Sequence, residues 1–337
     1  MKIEYNKSLK KYNTFGIDAV ASEFLTITSE RELIDVLSIR PKKNIFVISG
    51  GSNMLLTRNV DALVLHIAIK GISIKKLSED FVLVSACAGE NWHDFVQFCI
   101  KNNHGGLENL SLIPGYVGSA PIQNIGAYGA ELKDNFVSCE AIHIQTGEKH
   151  TFLNDDCNFE YRNSVFKSKL KGEYIITKVA FRLTTKTHTL NTSYGAIENA
   201  LMQNNITHPT IKDVSEAVIK IRKSKLPDPL EIGNSGSFFK NPVISTTDFS
   251  KLQETYPNAP FYQIDRDNTK VPAGWLIEQC GFKGKRWGDA GVHVKQALVL
   301  VNYGEATGQE LLKLSKKIQN SVFQKFNINL ETEVNII

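Results

Sequence analysis

The sequence has no G-x-G-x-x-G between a strand and a helix and no glycine loop ending in G-K-[ST], which removes the Rossmann fingerprint and the P-loop. Its five cysteines, Cys87, Cys99, Cys139, Cys157 and Cys280, are odd in number, widely spaced and without a C-x-x-C. They fall in apolar contexts such as VSACAG and QFCI, so buried free thiols are expected rather than disulfides or a metal site. His66, His93, His104 and His293 show no i, i+4 pairing and no H-E-x-x-H; structural or surface roles are expected for them, and no metal. No apolar run approaches the length of a membrane span, and the N-terminal lysines are not followed by an apolar stretch, so a cytoplasmic protein is expected. Lys plus Arg exceed Asp plus Glu by 39 − 35 = 4, too mild an excess to argue for nucleic acid or a membrane surface. It suits a ligand that carries phosphates and carboxylates. No internal repeat or low-complexity segment is visible.

What is present is an ordinary globular composition, 42% hydrophobic and 22% charged, in 337 residues, enough for two or three domains. The chain is organised around residues 112–130, LIPGYVGSAPIQNIGAYGA. Gly115, Gly118, Gly126 and Gly129 with Pro114 and Pro121 cannot sustain a helix or an ordinary strand. The segment is also too apolar for a solvated linker, and its backbone must find partners once folded inside. A flat, phosphate-bearing ligand is one such partner; a tight structural loop is the other reading.

In chain order, SEFLTIT is a strand and SERELIDVLS a helix with a Ser29/Glu32 capping-box signature. Strand Ile45 to Ile48 runs into Gly50-Gly51-Ser52-Asn53 and out along the strand DALVLHI. Consecutive N–H groups of such a turn can hold an anion, although for GGSN alone a hairpin turn is the favoured reading. FVLVSACAGE is a strand, and Asn91 caps a helix with Trp92, Phe95, Val96 and Cys99 at helical spacing, stopped by Gly105-Gly106. Residues 137–152 are two strands joined at Thr146-Gly147-Glu148, and EYIITKVAFRL is a buried strand. TLNTSYGAIENA is a polar loop with one aromatic residue, Tyr194. DVSEAVIKIRKSK is a helix ended by Leu226-Pro227-Asp228-Pro229, where a domain boundary is placed. GNSGSFFKNPV is a turn running into a strand, AGWLIEQCG a short helix closed by Gly281, and GVHVKQALVLVN a strand. A helix with Leu311, Leu314, Ile318 and Val322 on one stripe precedes a terminal strand, INLETEVNI. The pattern is α+β with several short sheets.

Taken together, these motifs resemble the UDP-N-acetylenolpyruvoylglucosamine reductases. The matching residues are 13–16 (NTFG), Gly50-Gly51-Ser52-Asn53, Leu107-Glu108 through IPGYVGSAPIQNIGAYG, 161–164 (YRNS), 225–229 (KLPDP), 236–242 (GSFFKNP), 273–277 (AGWLI) and Glu333-Val334. They cover nearly the whole chain in the family's order. The Tyr194 loop is similar to the form of the family in which a tyrosine-bearing loop covers the substrate. One position departs: Asn335 stands where that family usually has Arg.

The resemblance implies an FAD-binding fold of the vanillyl-alcohol oxidase and p-cresol methylhydroxylase type with a C-terminal substrate-binding α+β domain. Residues 1–74 with 325–337, and 75–226, would form the two FAD-binding parts, and 227–324 the UDP-sugar part. It also implies that NADPH reduces the flavin, and that a hydride then adds to C3 of the enolpyruvyl ether of UDP-N-acetylenolpyruvoylglucosamine, giving UDP-N-acetylmuramate for bacterial peptidoglycan. The protein must stabilise negative charge spreading from C2 into the carboxylate, and must protonate C2. Arg162 suits the first task as a permanently charged bidentate donor. Glu333 would assist as a neutral acid, burial and the substrate's charge raising its pKa. Ser237 matches the family's proton donor; a weak acid suffices against a strongly basic intermediate.

Expected FAD contacts are Gly50, Gly51, Ser52, Asn53, Pro114, Gly115, Gly118, Ser119, Ile122, Asn124, Ile125, Gly126, Ala127 and Arg162. The turn SGGSNML has no His, so the FAD is expected to be non-covalent. Expected substrate contacts are Tyr161, Tyr194, Lys225, Asn241, Tyr262, Lys283 and Gln296, with Lys225 and Lys283 on the diphosphate. Taken singly, each key residue has an ordinary reading: a surface ion pair for Arg162, a solvated strand position for Glu333, a turn for Ser237, a helix-end cation for Lys225. Two other readings stand beside the reductase, a flavin oxidase or dehydrogenase of the same fold and a sugar-nucleotide-binding protein without redox activity. A monomer is expected.

Overall fold

The computed structural model describes residues 2–39 and 44–337, and the chain gathers into two compact units. The first comprises 1–7, 21–50 and 60–224, and the second 8–20, 51–59 and 225–337. Met1 and residues 40–43, within the part expected at 1–74, lie outside the described residues.

The first unit holds a four-stranded sheet in the order Glu4–Ser8, Val20–Ile27, Val60–Ile67, Ile45–Ile48. Val60–Ile67 runs parallel to both Val20–Ile27 and Ile45–Ile48. Leu63, Val64 and Leu65 are buried in succession, as befits a parallel strand covered on both faces. This pairing corrects the hairpin reading of GGSN. A hairpin needs antiparallel neighbours, and here the chain leaves the sheet at Gly50 instead of doubling back. Helix Glu30–Ile39 starts at Ser29, whose Oγ accepts the Glu32 N–H at 3.2 Å. The Glu32 carboxylate reaches one residue further back than a standard capping box, accepting from the N–H and hydroxyl of Thr28 at 2.8 and 2.7 Å.

The same unit has an antiparallel five-stranded sheet in the order Lys149–Leu153, Phe136–His143, Tyr174–Thr184, Phe81–Cys87, Ile72–Lys76. The turn at 146–148 closes its first hairpin through Gly147 N–H to His143 O, 2.8 Å. Helix Trp92–Lys101 begins where Asn91 Oδ1 accepts the Asp94 N–H at 3.1 Å, and its Trp92, Phe95, Val96 and Cys99 join the core beside this sheet. Gly105-Gly106 is not its stop. The helix ends at Lys101, Asn103 takes the left-handed conformation, and Gly105 pairs with Thr184. The expected polar loop ends early too: Gly195–Gln203 is a helix, because Ile197, Ala200 and Leu201 bury against Ala217, Val218 and Ile221 of helix Ile211–Lys225. That second helix ends just before Leu226-Pro227, as proline geometry requires.

In the second unit a four-stranded antiparallel sheet runs Gly233–Ser237, Val299–Asn302, Ala290–Val292, Arg286–Trp287. GNSGS, expected as a turn, is itself a strand, with its irregularity between Asn234 and Ser237 where Gly236 has φ +68°. The expected single strand at 291–302 is two strands folded on each other, with His293 N–H bonded to Val299 O at 2.9 Å. The expected terminal strand shrinks to Asn335–Ile336, parallel to Met54–Leu55. Helix Ala273–Gln279 is followed by Gly281 at φ +74°, and helix Gly308–Phe326 buries Leu311, Leu314, Ile318 and Val322 behind a Thr307/Glu310 capping box. All five cysteines are free; Cys99, Cys139 and Cys157 are buried, whereas Cys87 and Cys280 are only part-buried. Among the described residues no helix is long and apolar enough to cross a membrane.

Candidate functional site

The 112–130 loop contains no charged residue and folds into two successive 3₁₀ turns, Val117–Ser119 and Pro121–Gln123, followed by a two-residue hairpin, Gly126–Ala127 with Ala130–Glu131. Its glycines are required by close approach of chain to chain. A Cβ on Gly118 would lie 2.4 Å from Ala88 Cβ, and one on Gly50 would lie 2.9 Å from Gly115 Cα. Asn124, buried and left-handed at φ +42°, uses its side chain to hold the loop: Nδ2 donates to Glu131 Oε2 and Glu160 O at 3.0 and 3.1 Å, and Oδ1 accepts from Lys133 N–H at 3.1 Å. Ser119 Oγ donates to Tyr116 O at 2.8 Å. Ile122, in contrast, is 38% exposed at the loop tip, and its carbonyl accepts from Ser164 Oγ at 2.6 Å.

Arg162 comes from the turn facing this loop and lies directly on Gly126. Its Nη2 donates to Gly126 O at 2.5 Å, and its guanidinium carbon is 5.1 Å from the centre of the Tyr161 ring. Tyr194 precedes helix Gly195–Gln203 and sets its ring edge-on to Tyr128, centroids 5.3 Å apart at 88°. Asn109, buried, ties these segments together by donating to Tyr128 O and Asn191 O at 3.0 and 2.8 Å. Arg162, Gly126, Ile122, Tyr161 and Tyr194 are therefore arranged around one loop. Asn109 was not anticipated, nor was Arg222, whose Nε donates to Leu112 O at the start of the loop at 3.1 Å. Arg222 had a signal in the sequence: it falls four residues after Val218 and eight after Val214, placing a cation on the buried face of its helix.

In the second unit, Gly51 has φ +57° and a Cβ there would meet Tyr12 O at 2.0 Å. Its carbonyl accepts the Thr14 N–H at 3.1 Å, and Thr14 Oγ1 lies 3.1 Å from Ser235 Oγ. Asn13 is buried as a local brace, donating to Leu9 O and Ile17 O at 2.8 and 2.9 Å. Asn53 Nδ2 donates to Glu333 O at 3.3 Å, and Asn53 O accepts from the Asn335 side-chain amide at 2.9 Å. Asn335 therefore fastens the chain terminus to the glycine turn. Ser237 and Glu333 lie on adjoining backbone segments, because Glu333 N–H bonds to Phe238 O at 2.9 Å and Lys240 N–H to Glu331 O at 2.9 Å.

Asn241 Oδ1 accepts the Ala273 N–H at 2.9 Å, and a Cβ on Gly274 would lie 2.9 Å from Gln296 Oε1. Both side chains thus meet at the start of helix Ala273–Gln279, a grouping that sequence spacing does not reveal. Lys283 pairs with Glu278 at 2.9 Å, Tyr262 is half-exposed beside Lys270, and Lys225 is the exposed last residue of its helix.

Residues 228–337 match the family described as UDP-N-acetylenolpyruvoylglucosamine reductase, C-terminal domain, and residues 21–152 match the FAD binding domain family. A UDP-N-acetylenolpyruvoylglucosamine reductase of Flavobacterium johnsoniae is 58% identical over 337 residues, covering 100% of both chains. The chain belongs to the UDP-N-acetylenolpyruvoylglucosamine reductase family. Another reductase of the family, from Pseudomonas putida, is 45% identical over 98% of this chain and 97% of its own. The crystal structure of the Thermus caldophilus UDP-N-acetylenolpyruvylglucosamine reductase aligns with a TM-score of 0.69 at 25% identity, covering 100% of this chain and 99% of that one. The fold is thus the α+β FAD-binding arrangement with the reductase family's own C-terminal domain.

The residues present fit FAD. The loop offers backbone groups and an exposed apolar tip with no charge of its own to oppose a pyrophosphate, and Arg162 adds a cation beside it.

Proposed function

We propose that this chain catalyses the NADPH-dependent reduction of the enolpyruvyl ether of UDP-N-acetylenolpyruvoylglucosamine to UDP-N-acetylmuramate, using non-covalently held FAD, in peptidoglycan precursor synthesis. The observation that carries this reading is full-length identity of 58% to a reductase of that name, with Ser237 and Glu333 on adjoining backbone segments of one unit. FAD supplies the hydride transfer between NADPH and the vinyl group. The chain's own residues divide the remaining work. Gly50, Gly51, Ser52, Asn53, Pro114, Gly115, Gly118, Ser119, Ile122, Asn124, Ile125, Gly126 and Ala127 would hold the cofactor, Asn124 through its backbone because its side chain braces the loop.

Arg162, oriented by Gly126 O, engages the substrate carboxylate with two donors and stabilises the charge that develops there. Glu333 assists as a neutral acid, and Ser237 delivers the proton to C2. Tyr161, Tyr194, Lys225, Asn241, Tyr262, Lys283 and Gln296 take the sugar nucleotide. By task the chain divides into 1–74 with 325–337, 75–226 and 227–324; the separate parallel and antiparallel sheets support the distinction between the first two parts. We place the protein in the cytoplasm as a monomer.

The deciding experiment is an anaerobic stopped-flow pair: NADPH reduces the bound flavin, and the enolpyruvyl substrate is then mixed in. Bleaching followed by recovery of flavin absorbance is expected. Bleaching without recovery points to a flavoenzyme with another acceptor, and protein without flavin to a binding protein.

A further inference from the structure

Both peptide groups that flank Glu333 are fixed by hydrogen bonds within the second unit. On one side its N–H donates to Phe238 O at 2.9 Å, and Phe238 is fully buried with its own N–H on Leu298 O at 2.8 Å. On the other side Glu333 O accepts from Asn53 Nδ2 at 3.3 Å. Asn53 grips the same segment again two residues further on: its carbonyl accepts the Asn335 N–H at 3.2 Å and the Asn335 side-chain amide at 2.9 Å. Two donors on one carbonyl use both of its lone pairs. Between the two grips Val334 is buried. Ser237 precedes Phe238, so the backbone already ties the two proton-handling residues to each other. Asn53 ties Glu333 to a different part of the site, the turn that carries Gly51 and Ser52. The residue after it also reaches the Ser237 strand, since Met54 O accepts from Ser235 Oγ at 3.3 Å. With both of its peptide groups held, Glu333 can move its carboxyl only by changing side-chain rotamer.

We infer that Asn53 is a positioning residue for Glu333: its side chain and carbonyl clamp residues 333–335 to the glycine turn, Asn335 being its second partner, and so set where the Glu333 carboxyl is presented during substrate reduction. The inference rests on the reductase reading above and gives Asn53 a role besides the cofactor contact proposed for that turn. An amide on a short arm suits the role, because it supplies a donor and brings no charge beside a pyrophosphate. The bond to Glu333 O lies at the long end of the hydrogen-bond range, which places its loss toward the lower end of misplacement effects.

The test is anaerobic stopped-flow of each half-reaction on the flavin-loaded enzyme with Asn53→Leu, which keeps the size of the side chain and the backbone groups but has no donor. Reoxidation by saturating UDP-N-acetylenolpyruvoylglucosamine is expected to slow about 10-fold, with half-saturation and reduction by NADPH each within a factor of about 3. The deciding comparison adds Asn53→Leu to Glu333→Ala. A residue that acts through the Glu333 carboxyl has little left to lose once that carboxyl is gone, so the further loss is expected to be less than about 2-fold. A further loss as large as in the wild-type background, equal slowing of both half-reactions, or wild-type reoxidation in Asn53→Leu overturns the inference. Where Asn53→Leu does not retain flavin, Asn335→Leu serves, because it removes the second grip and leaves the turn's own side chains. Reoxidation about 3-fold slower is then expected, with no further loss beside Glu333→Ala; wild-type reoxidation, or the same loss in both backgrounds, overturns the inference. Failure of the reductase reading is separate, because it appears in the wild-type enzyme as no reoxidation by substrate.

Discussion

Gly126→Ala separates positioning from presence at this site, because it leaves Arg162 in place and moves only where its charge lies. A Cβ at 126 would sit 2.9 Å from Arg162 Nη1, 3.0 Å from Ala130 O and 3.1 Å from Glu131 Cγ, whereas ordinary contacts begin near 3.4 Å. The backbone oxygen cannot yield readily, but the guanidinium is the far end of a flexible side chain, so it gives way by about half an ångström. Its 2.5 Å hydrogen bond to Gly126 O is then stretched. A hydrogen bond to a charged group contributes about 1.5–3 kcal/mol, and misplacement of this order can cost about 100-fold in rate. We therefore expect substrate-driven reoxidation of the flavin to slow about 10- to 100-fold, while reduction by NADPH stays within a factor of about 3. Gly126 is not in the left-handed region, so the stability loss should be about 1 kcal/mol, a Tm shift of about 2–4 °C. Stopped-flow measurement of each half-reaction, beside a thermal melt, decides. Equal slowing of both half-reactions, or none in the second, refutes the assignment of Arg162 to the developing charge.

Ser237→Ala should leave flavin reduction nearly intact and slow substrate reduction by about 10²- to 10⁴-fold, the range for loss of a positioned proton donor; equal loss in both half-reactions removes Ser237 from proton delivery. Glu333→Gln should slow the same half-reaction, and a normal rate there takes Glu333 out of the mechanism. Gly51→Ala should destabilise by more than about 4 kcal/mol, since it strains a left-handed residue and drives a Cβ onto the Tyr12 carbonyl; a wild-type Tm in that variant contradicts the packing described.

Periodicity made most elements legible, because apolar spacing is a local property. The stripe Leu311, Leu314, Ile318, Val322 and the Asn91 cap are examples. What escaped depends on partners distant in the chain. Nothing local to GGSN says whether the flanking strands pair antiparallel, as a hairpin, or in parallel. GAIENA looks polar until Ala217, Val218 and Ile221 cover its apolar face. Composition likewise distinguishes a binding loop from a structural one poorly: Asn124 satisfies both descriptions, and only its three hydrogen bonds assign the side chain to bracing. At Arg222 the helical phase was available, but its partner, the Leu112 carbonyl, lies 110 residues away in the chain.

The Leu112 corner also makes a pH prediction. Leu112, held at φ +59°, donates its N–H to His93 Nδ1 at 3.0 Å, while its carbonyl accepts from Arg222. An imidazole nitrogen that accepts from an amide must be unprotonated. Burial lowers the His93 pKa from the ordinary 6.5; Asp94 opposes this, and the charges of Lys223 and Arg222 add to it. The folded state therefore favours neutral His93 more strongly than the unfolded chain does. Between the two pKa values the unfolded chain binds more protons, so the contribution to stability is complete above pH 6.5 and declines as pH falls below it towards the folded value. His66, His104 and His293 are also lowered by burial, and a melt of the wild-type protein sums all of them. Comparison with His93→Gln, whose amide oxygen can accept from Leu112 without titrating, isolates the one residue. The variant should lose less Tm than wild type between pH 7.5 and pH 5.5, about 2 °C less for each ~1 kcal/mol of linkage removed. If the two proteins lose Tm in parallel, the Leu112 amide is not held by a neutral imidazole.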